Sequence, residues 1–259
     1  MGIVDIYAKA FSAGLLAKLN GRILSVALRA RGYNNFRTHA ESGEAFFIEK
    51  ILAPSGPQLC IDIGANVGNY SAELLQRTSS KVVAFEPNPA LFDDLKKLAE
   101  KYPSRFVAEG LAVGGENGTS ALNFSPNALA HGSLSTEVSG VPYVTNELNV
   151  EVPVVTLDSY CAENEIREVD FIKIDVEGFE GEVFAGARRI FRELMPRFIQ
   201  LEFNWHQLFR GTSMNFFSQT LPDYDLFQLI PGGWQKRDPK DPLANIYHFS
   251  NFVFVRRDV

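Results

Sequence analysis

From residue 44 onward, short apolar runs alternate with segments in which apolar residues recur every three or four positions. The runs at 58–62, 81–86, 105–109, 171–175 and 197–203 have strand length and are rich in Val, Ile and Phe. Helices are predicted between or beside them over 44–52, 70–77, 90–101 and 181–192. Regular strand–helix alternation predicts an α/β fold with a mostly parallel sheet and helices on both faces. The last runs, 224–230 and 251–256, read as an antiparallel pair. Residues 114–152 break the rhythm, being far longer than the usual connection. Alternation at 119–124 pairs plausibly with 150–157, which predicts an inserted β-hairpin. Its Ser-, Asn- and Gly-rich tip over 125–139, with His131 and Ser133, reads either as a mobile flap over the active site or as an ordinary surface excursion.

Ahead of this domain, residues 1–43 form a separate segment. Ile3, Ile6, Tyr7, Ala10, Phe11, Leu15, Leu19, Ile23 and Val26 recur at helical spacing, with Lys9, Lys18, Arg22 and Arg29 between them. One amphipathic helix, or two broken near Asn20-Gly21, is expected. The charges leave no apolar run long enough to span a bilayer, and Asp5 spoils the basic start of a secretion signal. The segment is read as packing on the domain or on a second subunit, which makes a homo-oligomer through this helix an expectation. A membrane surface and substrate gating are the alternatives.

Candidate chemistry begins at Asp62-Ile63-Gly64-Ala65-Asn66-Val67-Gly68, where an apolar strand ends in an acid and a glycine turn. Gly64 and Gly68 are expected to let the backbone lie against a ligand where a Cβ would intrude. The spacing differs from the G-x-G-x-x-G of dinucleotide enzymes, and the carboxylate of Asp62 favours a ligand with an ammonium group over a pyrophosphate. About twenty residues on, the next strand ends in Glu86-Pro87-Asn88, an offset that suits a carboxylate accepting from both ribose hydroxyls.

With Val154-Val155-Thr156-Leu157-Asp158 and Phe171-Ile172-Lys173-Ile174-Asp175-Val176-Glu177-Gly178-Phe179-Glu180 added, the chain resembles the FkbM family of S-adenosylmethionine-dependent methyltransferases from about residue 44 to 259. That resemblance implies a Rossmann-like class I methyltransferase fold with a seven-stranded sheet. It also implies methyl transfer from S-adenosyl-L-methionine, usually to a hydroxyl oxygen of a sugar, glycan or secondary metabolite. The cofactor set expected from turn, acid and resemblance is Asp62, Gly64, Ala65, Asn66, Gly68, Glu86, Pro87, Asn88, Leu111, Ala112 and Asp175.

A sugar hydroxyl is a weak nucleophile, so a base is expected near the carboxyl ends of the fourth and fifth strands. There the polar parity of Lys173, Asp175 and Glu177 and of Gln200, Glu202 and Asn204 stands out against apolar neighbours. His206 is the leading base, with Asp175 and Glu202 as its catalytic companions, because its ordinary pKa lies nearest neutrality. Asp175, Glu202 and Asn204 also suit an oxygen-ligated Mg²⁺. Two rival classes remain open: a cofactor-binding scaffold without catalysis, and a nicotinamide-dependent oxidoreductase on a similar sheet.

Composition narrows the partners. A formal charge of −6 over 259 residues, with no basic run in the body of the chain, argues against nucleic acid. Cys60 and Cys161, far apart in unlike elements, read as free thiols in a reducing, cytoplasmic compartment.

Overall fold

The computed structural model describes residues 2–12, 14–125, 128–137 and 148–258. Its strands in chain order are β1 (Leu59–Ile63), β2 (Lys81–Phe85), β3 (Phe106–Glu109), β4 (Ala112–Val113), β5 (Gly118–Ser125), β6 (Ala128–Ser133), β7 (Leu148–Val155), β8 (Phe171–Ile174), β9 (Phe198–Phe203), β10 (Tyr224–Ile230), β11 (Gly233–Arg237) and β12 (Ser250–Arg256). Eight of them form one sheet in the order β11–β10–β12–β9–β8–β1–β2–β3. β3, β2, β1, β8 and β9 run parallel, and β12, β10 and β11 then follow, each antiparallel to the strand before it. This is the doubly wound, Rossmann-like architecture of class I methyltransferases, with one strand more than expected. The extra strand is β11, joined to β10 through Pro231-Gly232, whose glycine takes φ +70°. A Pro-Gly pair is a turn signal, and the short polar run after it lacks the apolar alternation by which the other strands are read.

Burial follows strand parity. Ile61, Ile63, Ile172, Ile174, Ile199 and Leu201 pack on one face against the helices Leu157–Glu163, Glu180–Ala185 and Met214–Thr220. Cys60, Val82, Phe171 and Phe198 pack on the other, against Phe47, Ile48 and Leu52 and the helices Asn69–Arg77 and Pro89–Lys101. On that second face the register aligns Asp62 with Lys173 and Lys173 with Gln200. A polar row therefore crosses the middle of the sheet. The covering helices supply most of its hydrogen bonds: Ser71 donates to Asp62 at 2.7 Å, Tyr70 to Gln200 at 2.7 Å, and Gln200 to Glu44 at 2.9 Å. The polar parity in the sequence thus marks, in the first instance, a buried hydrogen-bonded seam. Lys173, Asp175 and Glu202 are where that seam meets the crevice.

A second sheet, ordered β4–β7–β5–β6, occupies the interval between β3 and β8. β5 and β7 pair antiparallel from Gly118↔Val154 to Phe124↔Leu148, and Leu122, Val152 and Val154 make a small core of their own. Residues 126–127 and 138–139 of the expected flap, and the side chain of His131, lie outside the described residues. Ser133 does not sit on a mobile tip: it is buried, and its hydroxyl donates to the carbonyl of Glu177 at 2.7 Å.

The N-terminal segment forms two helices, Ile3–Phe11 and Ala17–Ala30. The break falls between Phe11 and Ala17 rather than at Asn20-Gly21. Asn20 instead ties the pair together, accepting from the Tyr7 hydroxyl at 2.7 Å and donating to the Phe11 carbonyl at 2.8 Å. The expected packing on the domain is slight. No residue of the first helix is buried, and Leu28 is the only buried residue described in the second.

Candidate active site

A cleft of about 270 Å³ opens at the carboxyl ends of β1, β2, β8 and β9. Strand order reverses between β1 and β8, and connections leaving in opposite directions part there to leave a crevice. The second sheet contributes Leu122, Gly132 and Leu134 to its wall, while Phe36, His39 and Phe249 stand at another part of its lining.

On the β1–β2 side, Glu86 is the organising residue. Its Oε2 accepts from the backbone N–H of Asn66 and its Oε1 from that of Asn88, both at 2.8 Å. Asn66 makes its bond from the left-handed region, φ +53°, a conformation that costs a non-glycine residue about 1–2 kcal/mol. Burial pushes the Glu86 carboxyl up to about 7, against the pull of these two N–H donors. Phe85, Pro87, Leu91 and Leu111 form an apolar surface beside it. A carboxylate fixed at both oxygens beside an apolar slot matches a ribose with its base alongside.

The two turn glycines are also required by packing within the protein. A Cβ on Gly64 would lie 1.8 Å from the carbonyl oxygen of Asp175, and one on Gly68 would lie 2.8 Å from Cδ2 of Leu95; both residues have positive φ. They permit close packing of the turn against the end of β8 and against the helix Pro89–Lys101. Gly68 is absent from the cleft lining, as is Asp62, which is fully buried behind the turn with Oδ1 lacking a hydrogen-bond partner. Burial raises the Asp62 carboxyl, with Lys173 and Ser71 drawing it back down. Gly64, Ala65, Asn66, Pro87, Asn88, Leu111, Ala112 and Asp175 do line the cleft.

On the β8–β9 side the motif from Lys173 to Glu180 resolves residue by residue. Lys173 Nζ pairs with Asp175 Oδ2 at 2.8 Å; burial opposes its charge, but Asp175, Asp62 and Glu44 outweigh burial and raise its pKa. Glu177 and Gly178 both take positive φ, +52° and +97°. Glu180 holds this turn by accepting the N–H of Val176 at 3.2 Å and of Gly178 at 3.1 Å, while burial lifts its carboxyl to about 7. The result places Glu177 in the cleft lining. Glu202 also lines it, its carboxyl raised well above the ordinary range by burial and then by Asp175 and Glu177.

His206 is buried and outside the lining. Its Nδ1 lies 3.1 Å from Glu177 Oε2, close enough for an ion pair but out of alignment for a hydrogen bond. Among the described residues no group of three or more His, Cys, Asp or Glu side chains is placed to hold a metal ion, and Asp175 is already engaged by Lys173. The Mg²⁺ expectation therefore finds no ligand set. Phe36, His39, Glu44 and Tyr70 escaped sequence reasoning; helical periodicity or loop position masks each of them, and only chain folding brings them to the cleft.

The FkbM methyltransferase domain model matches residues 62–226, from the buried acid of β1 into β10. The chain belongs to the FkbM methyltransferase family. Relatives in sequence include the 2-O-methyltransferase NoeI of Sinorhizobium fredii, 25% identical over 85% of this chain and 91% of that protein. The hexuronic acid methyltransferase AglP of Haloferax volcanii is 28% identical over 48% of each chain, so the match spans about half of that relative's length. A crystal structure of an O-methyltransferase from Bacillus cereus in complex with SAH aligns over 98% of this chain and 96% of that one, with 12% identity and a TM-score of 0.46. Within this FkbM domain the Val154–Asp158 stretch acts as a brace. Asp158 accepts the N–H of Arg189 at 2.9 Å and of Ile190 at 3.0 Å, anchoring the segment that follows Glu180–Ala185.

Proposed function

We propose that this chain is an S-adenosylmethionine-dependent O-methyltransferase whose acceptor is a hydroxyl of a sugar, glycan or secondary metabolite. The observation that carries the reading is that Glu86 and Glu177 open onto one cleft from opposite sides, with an apolar slot beside the first and an acidic cluster around the second. The residues fit the cofactor: Glu86 for the ribose hydroxyls, Phe85, Leu91 and Leu111 for the base, and Asp175 for the cationic methionine end. When bound, the cofactor supplies an electrophilic methyl group on sulfur. Positioning of the acceptor oxygen contributes several kcal/mol, up to roughly 7–11 in model reactions.

Proton removal falls to Glu177 in this reading, with His206 behind it as a positioning residue. Glu202, its carboxyl raised by burial and then by its acidic neighbours, donates a hydrogen bond in this reading rather than accepting a proton. The names of two relatives make uronic acids and sugar 2-hydroxyls the first acceptors to try.

Calorimetric titration with S-adenosylhomocysteine, followed by tritium transfer from labelled S-adenosylmethionine to such acceptors, tests the proposal. Binding and label on an acceptor hydroxyl are expected. Binding with no transfer to any acceptor of these classes would leave a cofactor-binding scaffold, and thermal stabilisation by a nicotinamide dinucleotide alone would overturn the reading.

A further inference from the structure

The N-terminal helical pair carries an apolar surface that the domain leaves uncovered. In Ala17–Ala30, Leu19, Ile23 and Val26 share one face at helical spacing and are 45%, 49% and 70% exposed, whereas the buried Leu28 lies on the opposite side. Ile3, Ile6, Tyr7 and Phe11 of the first helix are exposed as well, and Tyr7 stacks on Phe11 at 4.8 Å. Beside the Leu19–Ile23–Val26 stripe, Lys18, Arg22 and Arg29 fall within an arc of about 40° at 100° per residue. Arg29 is also held by Glu41 at 3.5 Å and Asn35 at 3.2 Å, so among the described residues Lys18 and Arg22 are the cations of this flank with no such tie. The stripe points outward, and the basic residues run along its flank.

We propose that this hairpin is a membrane-surface anchor that lays its apolar stripe into an anionic lipid interface, with the basic flank on the headgroups. None of the described helices is long and apolar enough to cross a membrane, so the contact is in the plane of the interface. Charge distribution selects this occupant. Residues 1–31 hold five basic residues against Asp5 alone, a formal +4, so the other residues carry −10 of the chain's total −6. An acidic body has no general attraction to anionic lipid, and the only strongly basic segment coincides with the exposed apolar stripe. A second copy joined stripe to stripe as an antiparallel pair would bring two like-charged flanks together, which electrostatics opposes. The arm also leads directly to the cleft. Phe36, 65% exposed, and His39 follow the end of the second helix by six and nine residues and line the site.

Co-sedimentation of the full chain with phosphatidylcholine vesicles, with and without phosphatidylglycerol, tests the proposal independently of any acceptor. The protein is expected to sediment with the phosphatidylglycerol vesicles at low salt, to be released at high salt, and to leave neutral vesicles largely unbound. Arg22→Ala should lower partitioning about fivefold, and Ile23→Asp with Val26→Asp should abolish it. Both variants should keep the wild-type melting temperature and S-adenosylhomocysteine affinity. Failure to bind phosphatidylglycerol vesicles, or undiminished binding by the double variant, overturns the anchor. A wild-type dimer that the double variant splits, without vesicle binding, overturns it in favour of a second copy.

Discussion

His206 Nδ1 stands 3.1 Å from Glu177 Oε2, and of this pair only Glu177 lines the cleft. The imidazole is enclosed by Trp205, whose ring centroid lies 3.7 Å away, and by the Asn204 side chain that accepts its backbone N–H at 2.7 Å. In the proposed reaction, a proton leaving an acceptor hydroxyl would meet Glu177 first, with the histidine acting through it.

This order predicts unequal losses. Glu177→Gln should lower turnover by about 10²–10⁴-fold while S-adenosylhomocysteine affinity stays within a few-fold. His206→Gln should cost less, because it removes the residue that positions the proton acceptor rather than the acceptor itself. Steady-state rates with an acceptor found by tritium transfer decide the matter. Equal turnover of wild type and Glu177→Gln would return proton removal to another group.

A second prediction concerns pH and the ribose carboxylate. Glu86 is raised to about 7 in the free protein, and its ionised form is the one able to accept from both ribose hydroxyls. Ligand binding must then release a proton near neutrality. Affinity for S-adenosylhomocysteine should fall as pH drops below about 7, by up to about tenfold per unit, and level off above it. Glu86→Gln should bind more weakly at pH 8 and show little pH dependence. Calorimetry in buffers of different ionisation enthalpy measures the released proton directly.

The same shift has a stability consequence of defined sign. Between the ordinary carboxylate value of 4.5 and about 7, native Glu86 and Glu180 retain protons that the unfolded chain has lost. Their contribution makes stability fall as pH rises through that window, and the loss is complete above about 7. Thermal melts of the free protein from pH 5.5 to 7.5 should decline, and saturating S-adenosylhomocysteine should flatten the part due to Glu86.

The turn glycines give a structural test. Gly64→Ala drives a Cβ into the backbone carbonyl of Asp175, where neither partner has room to yield. A loss on the order of 3–5 kcal/mol or failure to fold is expected. Gly68→Ala meets the flexible end of Leu95 and should cost about 1–3 kcal/mol, chiefly from its positive φ. Urea unfolding of the two variants separates them; equal and small losses would show that the turn relaxes freely.

Sequence alone determined the succession of strands and helices in the parallel half of the sheet, the placement of Glu86 about twenty residues after the glycine turn, and the family. These properties are local. Periodicity, strand composition and motif spacing are carried by neighbouring residues and survive without knowledge of the fold. It also marked Lys173, Asp175, Glu177, Gln200 and Glu202 as unusual for central strands, but parity cannot say which of them is sealed under a helix and which opens to a ligand. Tertiary structure decided that Gln200 belongs to a buried seam with Tyr70 and Glu44, that Glu177 rather than His206 lines the cleft, and that Gly64 and Gly68 have no room for a Cβ. Each of those outcomes depends on which segment covers which face. That is set by contacts between residues up to 156 positions apart, as with Glu44 and Gln200, and no window of sequence contains them.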